Sequence, residues 1–315
     1  MKIWNSILQA RQEINELKMS SVVTIGNFDG VHRGHRVIFG QTLDLAQRLN
    51  SLAIALTFVN HTESILGEAP FLLNIPIFRR ELLARQGLDA LLEVEFTPNL
   101  AAMEPETFFE TWLVKGLNVR GIVIGHDFLF GQGGRGDYQL LKQMADEAGI
   151  FLYRVAPVEE DGEVISSSRI RQLLAEGRVE KANQMLGYNF MIEGEVIEGE
   201  QFGRKLGYPT ANIRLKPEYL LPCYGVYLVR LSVESVSYFG VANVGIKPTF
   251  GKYHPLVEVY LFDVEINLYR KIVKVEFLRF IRPENRFAGP EALQEQIVRD
   301  VETAKGFLKF NTGEC

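Results

Sequence analysis

Cysteine is nearly absent from the 315 residues. The two that occur, Cys223 and Cys315, stand far apart and outside any CxxC pair, which argues against a zinc site or a disulfide framework. A surplus of basic charge is also missing. With a formal net charge of -5, no general positive field draws nucleic acid or an acidic membrane, so any bound phosphate must be held by local geometry. No run approaches the roughly 20 consecutive apolar residues of a membrane-spanning helix. The opening MKIWNSILQARQEINELK has no basic region followed by an apolar stretch, so it does not read as a secretory leader. Together these absences predict a cytoplasmic protein in a reducing setting, with no nucleic-acid and no membrane partner.

What is present suits a packed fold of two domains. Domains usually run to about 100–200 residues, and a composition of 47% hydrophobic and 23% charged residues is that of an ordinary globular chain. From Val22 to Phe58 the sequence reads as strand, turn, helix, strand, a βαβ unit with strands buried on both faces. Further helices are predicted around Arg79–Gln86, Pro105–Lys115 and Tyr138–Ala148. They alternate with strands near Leu91–Val94, Gly121–Gly125 and Phe151–Ala156, which makes a Rossmann-like α/β domain with a parallel sheet. After about Gly187 helical periodicity gives way to short β-rich runs, among them YGVYLVRLSV, YFGVANVG, LVEVYLF and KIVKVEFLRFI. A small antiparallel barrel with a C-terminal helix from Pro290 is expected there. The predicted domains are 1–185 and 186–315.

The first strand enters a turn whose Gly30 and Gly34 allow close backbone approach to a ligand, and the following helix start offers unpaired N–H groups. His32 and His35, three apart, share a face and can point at one anion. In AMP transfer a phosphate displaces pyrophosphate at the α-phosphorus, and imidazoles with helix N–H groups suit the charge that collects there. Alone, an HxxH at a helix start is equally compatible with ordinary structure.

The complete string GNFDGVHRGH, Gly26–His35, resembles the HxGH nucleotidyltransferase signature and the FAD synthetase part of bacterial bifunctional riboflavin kinase/FAD synthetases. The resemblance continues in order through GHDFLFG, ISSSRIR, GRKLGYPTAN, VANVGIKPTFG and VEVYLFD. It implies that His32 and His35 hold ATP phosphates, that Gly26, Asn27, Phe28, Gly30 and Gly34 form the loop, and that Asp29 shapes it. By the same resemblance Ser167, Ser168 and Arg171 meet the leaving pyrophosphate, Asp127 contacts nucleotide, and His61 lies near the flavin. The string GQGGRG, Gly131–Gly136, satisfies GxGxxG but does not open the first βαβ unit, and is not taken as a dinucleotide fingerprint. The chain departs from the family pattern at Val59-Asn60-His61-Thr62, which lacks both prolines of a PHP-like turn, at His126, and at Ser168 in place of threonine.

In the C-terminal half GEQFGRKLG lacks P-loop spacing. The resemblance gives Gly203, Lys205 and Gly207 to a loop over ATP, and Thr210 and Asn212 to Mg²⁺ held together with the ATP phosphates. The latter two stand two apart and face one side if extended. Glu258 alternates away from Val257 and Val259 and matches the family's general base for the riboflavin 5′-hydroxyl. Asn243 and Arg282 are assigned to flavin. Tyr260 replaces a usual histidine, and Arg270 stands where glycine is usual, which costs about 1 kcal/mol if φ is positive there. The implied protein is bifunctional, takes riboflavin, FMN and ATP with Mg²⁺, and is a monomer or weak homo-oligomer. Its rivals are an FMN adenylyltransferase with a kinase-inactive barrel and a flavin or nucleotide sensor without turnover.

Overall fold

The computed structural model describes residues 1–199, 207–215, 219–249, 252–264 and 266–312. The chain divides into two compact units, Met1–Ser167 and Ser168–Cys315.

The first unit contains, in order, β1 (Lys2–Trp4), α1 (Ile7–Leu17), β2 (Ser21–Ile25), α2 (Arg33–Arg48), β3 (Leu52–Phe58), α3 (Glu63–Leu66), α4 (Pro76–Ala84) and β4 (Ala90–Val94). Then follow α5 (Pro98–Ala101), α6 (Pro105–Phe108), a π-helical turn Phe109–Val114, α7 (Lys115–Leu117), β5 (Val119–Ile124), α8 (Tyr138–Glu147), β6 (Phe151–Arg154) and the hairpin β7 (Glu159–Glu160) and β8 (Glu163–Val164). Six strands form a parallel sheet in the order β1-β4-β3-β2-β5-β6. Every residue of β2 and of β4 is buried, as expected of parallel strands covered on both faces. The chain runs from β2 to β3 on one side and returns to place β5 on the other. The loop after β2 therefore lies at the topological switch point, where such sheets bind ligands beyond their strand C-termini.

The second unit begins with α9 (Ser167–Ala175) and α10 (Val179–Leu186), followed by β9 (Met191–Ile197), β10 (Thr210–Arg214), β11 (Gly225–Val233), β12 (Val236–Thr249), β13 (Lys252–Leu261), β14 (Ile272–Pro283) and α11 (Pro290–Thr312). The six strands close into a barrel in the order β10-β13-β12-β11-β14-β9. The division at Ser167/Ser168 falls upstream of the expected 185–186, because α9 and α10 are bonded to barrel elements. Cys223 N–H donates to the Leu174 carbonyl at 2.8 Å. Asn183 donates to the Phe277 carbonyl at 2.8 Å and accepts the Phe190 N–H at 2.7 Å. On the outside of the barrel Val226, Leu228, Val241 and Phe262 pack with Ala304, Val301 and Phe307 of α11.

Candidate active sites

The turn after β2 is strained. Phe28 has φ 48°, Gly30 85° and Val31 37°, a left-handed conformation that costs energy in a side-chain-bearing residue, most of all a β-branched one, and persists only where neighbours enforce it. The enforcing contacts are specific. The buried Asp29 carboxylate accepts the Leu73 N–H on both oxygens at 3.1 Å and the Asn74 N–H at 3.1 Å. The Asp29 carbonyl accepts the Ser167 hydroxyl at 2.8 Å. The Asn27 side chain donates to Thr62 Oγ1 at 2.9 Å and accepts the Thr62 N–H at 3.3 Å, which fixes the turn bearing His61 beside this loop. Gly34 is needed for contact: a Cβ there would lie 3.1 Å from His32 Nδ1 and 3.4 Å from the Ile165 carbonyl.

His32 caps α2, its Nδ1 accepting the His35 N–H at 3.3 Å, and the two rings stack with centroids 3.6 Å apart. An accepting Nδ1 leaves the proton of the neutral His32 ring on Nε2. Burial, with a smaller contribution from His32, holds the His35 imidazole well below its ordinary range, so that ring is neutral near pH 7. His35 Nδ1 is buried and has no hydrogen-bond partner among the described residues. Two imidazoles beside the unpaired N–H groups at the N-terminus of a 16-residue helix form a corner suited to an anion, the positive potential coming from the helix end. Ser168 and Arg171 follow Ser167 on α9.

The Asp127 side chain is 78% exposed and stands 4.0 Å from His126 Nδ1. An added Cβ at Gly125 would meet both Asp127 Oδ1, at 3.2 Å, and Ile38 of α2, at 3.4 Å. His61 accepts the Glu63 N–H at 3.3 Å within its own turn. GQGGRG forms a 3-10 turn closed by the Phe130–Gly136 bridge, with Gly131 pressed on Pro105, as befits a structural loop.

In the barrel, register brings the expected polar residues together. Asn212 pairs across β10 and β13 with Glu258, and Glu258 pairs across β13 and β12 with Asn243. Directly opposed residues share a face, so Asn243, Glu258 and Asn212 form one row, with Thr210 and Tyr260 opposed in the next. Val257 and Val259 are buried on the other face. Asn212 is buried against Gly199, whose added Cβ would fall 2.6 Å from Asn212 Oδ1. Tyr260 meets Tyr208 edge-on at 5.1 Å, and burial with the Asp263 carboxylate raises its phenol above the ordinary value. Arg282 makes a forked ion pair with the buried Asp300 of α11, at 2.9, 3.1 and 2.7 Å, and stands 5.6 Å from the Phe287 ring. Arg270 has φ 63°, so the turn does take the conformation that favours glycine. Gly207 also has positive φ, whereas Gly203 and Lys205 lie outside the described residues.

Family comparison agrees with both halves. The FAD synthetase family model matches residues 14–169 and the riboflavin kinase model residues 186–308. The bifunctional riboflavin kinase/FMN adenylyltransferase of Escherichia coli (strain K12) is 36% identical over 307 residues, covering 96% of each chain. The protein of that name from Bacillus subtilis (strain 168) is 36% identical over 298 residues, covering 92% of this chain and 93% of its own. This chain belongs to the bifunctional riboflavin kinase/FMN adenylyltransferase family. A crystal structure named as a macrolide-efflux protein from Streptococcus pneumoniae superposes with TM-score 0.84 at 31% identity, over 91% of this chain and 94% of that one. Among the described residues of the present family member, no helix is long and apolar enough to cross a membrane.

In this riboflavin kinase/FMN adenylyltransferase the structure gathers Asn27, Asp29, His32, His35 and Ser167 around one turn, and Thr210, Asn212, Asn243 and Glu258 on one barrel face. Asp127 stands exposed beside His126, and Arg282 is engaged with Asp300. Sequence reasoning missed Arg79 and Glu93. Arg79, on α4, is 3% exposed and donates to the Asn27 carbonyl at 3.1 Å. Glu93 is a buried acid inside the apolar strand ALLEV, which was the available signal.

Proposed function

We propose that this chain phosphorylates riboflavin with ATP on the outer face of its barrel and adenylylates FMN with a second ATP at the turn after β2. Residues 186–315 carry the first reaction and residues 1–185 the second. The stacked His32–His35 pair on a strained loop at the switch point of the sheet is the observation that carries the adenylyl-transfer assignment.

In that reaction an FMN phosphate oxygen forms a bond to the α-phosphorus of ATP while the bond to the bridging oxygen breaks, and pyrophosphate leaves. Negative charge grows on oxygens that His32 Nε2–H, His35 and the α2 N–H groups stabilise. Ser167, Ser168 and Arg171 receive the pyrophosphate, with guanidinium and hydroxyl donors suited to it. The turn holding His61 is tied to Asn27, which supports a flavin contact beside the nucleotide loop.

In the kinase reaction Glu258 takes the proton of the riboflavin 5′-hydroxyl as that oxygen attacks the γ-phosphorus and ADP departs. Asn243 and Asn212 flank Glu258 in register, and this row supports the assignment. Mg²⁺ fits Thr210 and Asn212: both supply neutral oxygen donors, the close approach of Gly199 shapes a cradle at the amide, and the ion's other positions suit phosphate and water. When bound it offsets phosphate charge. A cytoplasmic monomer or weak oligomer completes the proposal.

Incubation with riboflavin, ATP and Mg²⁺, with products separated by chromatography, tests the whole. FMN plus FAD is the expected result. FAD only from supplied FMN would mean that the kinase is lost, and no product would leave a sensor.

A further inference from the structure

The Arg79 side chain lies behind the adenylyl-transfer loop and is not used in either reaction above. Its Nη1 donates to the Asn27 carbonyl at 3.1 Å, and its Nη2 donates to the Phe58 carbonyl and to Glu93 Oε1, the latter at 3.1 Å. Glu93, whose side chain is fully buried, also accepts from Arg80 Nε. One guanidinium thus ties together the carboxyl ends of three neighbouring strands, β2, β3 and β4. The loop after β2 carries His32 and His35, and the turn after β3 carries His61.

A buried ion pair is weak evidence for stability, because desolvation of the two charges offsets most of their attraction. Its distinctive yield is geometry. The peptide between Asn27 and Phe28 is planar and trans, so its N–H points opposite to its carbonyl. Holding the Asn27 carbonyl toward Arg79 fixes the direction of the Phe28 N–H at the point where φ becomes positive. The three residues with positive φ that follow inherit that orientation, and a swing of the peptide would carry His32 and His35 out of register. A guanidinium spreads its donors over a rigid planar fork that reaches three separated acceptors in one orientation; an ammonium gathers its three donors on one atom of a flexible stem and does not hold the same set.

We propose that Arg79, anchored by Glu93, is a positioning residue for adenylyl transfer, fixing the Asn27–Phe28 peptide and locking the nucleotide loop to the flavin-side turn. This rests on the adenylyltransferase assignment above. The test uses the full chain and compares wild type with Arg79→Lys and Glu93→Gln, following FAD formation from FMN and FMN formation from riboflavin in separate assays well below the melting temperature. Wild type must make FAD; if it does not, the functional assignment fails rather than this one. Arg79→Lys is expected to lower kcat for FAD formation at least tenfold, to change KM for ATP less than threefold, and to leave FMN formation unchanged. Glu93→Gln, which keeps Arg79 but loosens its anchor, is expected to show a smaller loss of kcat, three- to tenfold. If Arg79→Lys does not fold, the Glu93→Gln result decides. A lowered melting temperature with unchanged kcat for FAD in the folded variants would make the cluster merely structural and overturn the proposal.

Discussion

The grip of Asp29 on the segment at 73–74 holds the nucleotide turn in its strained form. Asp29→Ala removes a buried carboxylate that accepts three N–H contacts and leaves the Leu73 and Asn74 donors without it, in residues only 2% and 4% exposed. An unsatisfied buried donor costs about 1–3 kcal/mol, so two give roughly 2–6 kcal/mol before relaxation. Some of this is recovered: Asn27 still holds the start of the loop through Thr62, so only the strained φ at Val31 relaxes, returning about 1–3 kcal/mol. A net loss of about 2 kcal/mol is expected. For a unit of this size that corresponds to a fall of about 4–8 °C in melting temperature. Thermal melting followed by circular dichroism measures it, and chromatography of FMN incubated with ATP measures the accompanying loss of FAD synthesis. Riboflavin phosphorylation at 25 °C should be unchanged. A melting temperature within a degree of wild type, together with normal FAD synthesis, would refute the view that Asp29 enforces the strained turn.

Three further outcomes are expected. Glu258→Gln keeps volume but cannot take the hydroxyl proton, and should slow FMN formation by about 10²–10⁴ while FAD formation from FMN persists; equal FMN rates would make Glu258 a polar strand residue only. Because burial lowers the His35 pKa, the unfolded chain gains its proton first as pH drops below about 6.5, so stability present above that pH is lost as pH falls toward the folded value. His35→Asn should therefore flatten the decline in urea midpoint between pH 7 and pH 5, and an undiminished decline would place the acid sensitivity elsewhere. Arg270→Gly relieves a positive φ worth about 1–2 kcal/mol and returns part of it as unfolded-chain entropy, for a net gain of roughly 0.5 kcal/mol in urea denaturation; destabilisation would show that the Arg270 side chain has contacts of greater value.

The order of elements and the character of both halves were legible in the chain itself, because they follow from local chemistry. Largely apolar runs such as VVTI and IVI mark strands buried on both faces, and the alternation around Glu258 marks a strand with one polar side. Spacing alone put His32 with His35 and Thr210 with Asn212. Residues remote in sequence were another matter. That Asn212, Glu258 and Asn243 form one row depends on the registers of β10, β13 and β12, which are set when the barrel closes. That α9 and α10 belong with the barrel is decided by bonds from Leu174 and Asn183 to Cys223 and Phe277, which no local pattern announces. The same holds for Arg79: its helix was predictable, but the convergence of three strand ends on one guanidinium arises only from the parallel order of the sheet, which packing decides and spacing cannot.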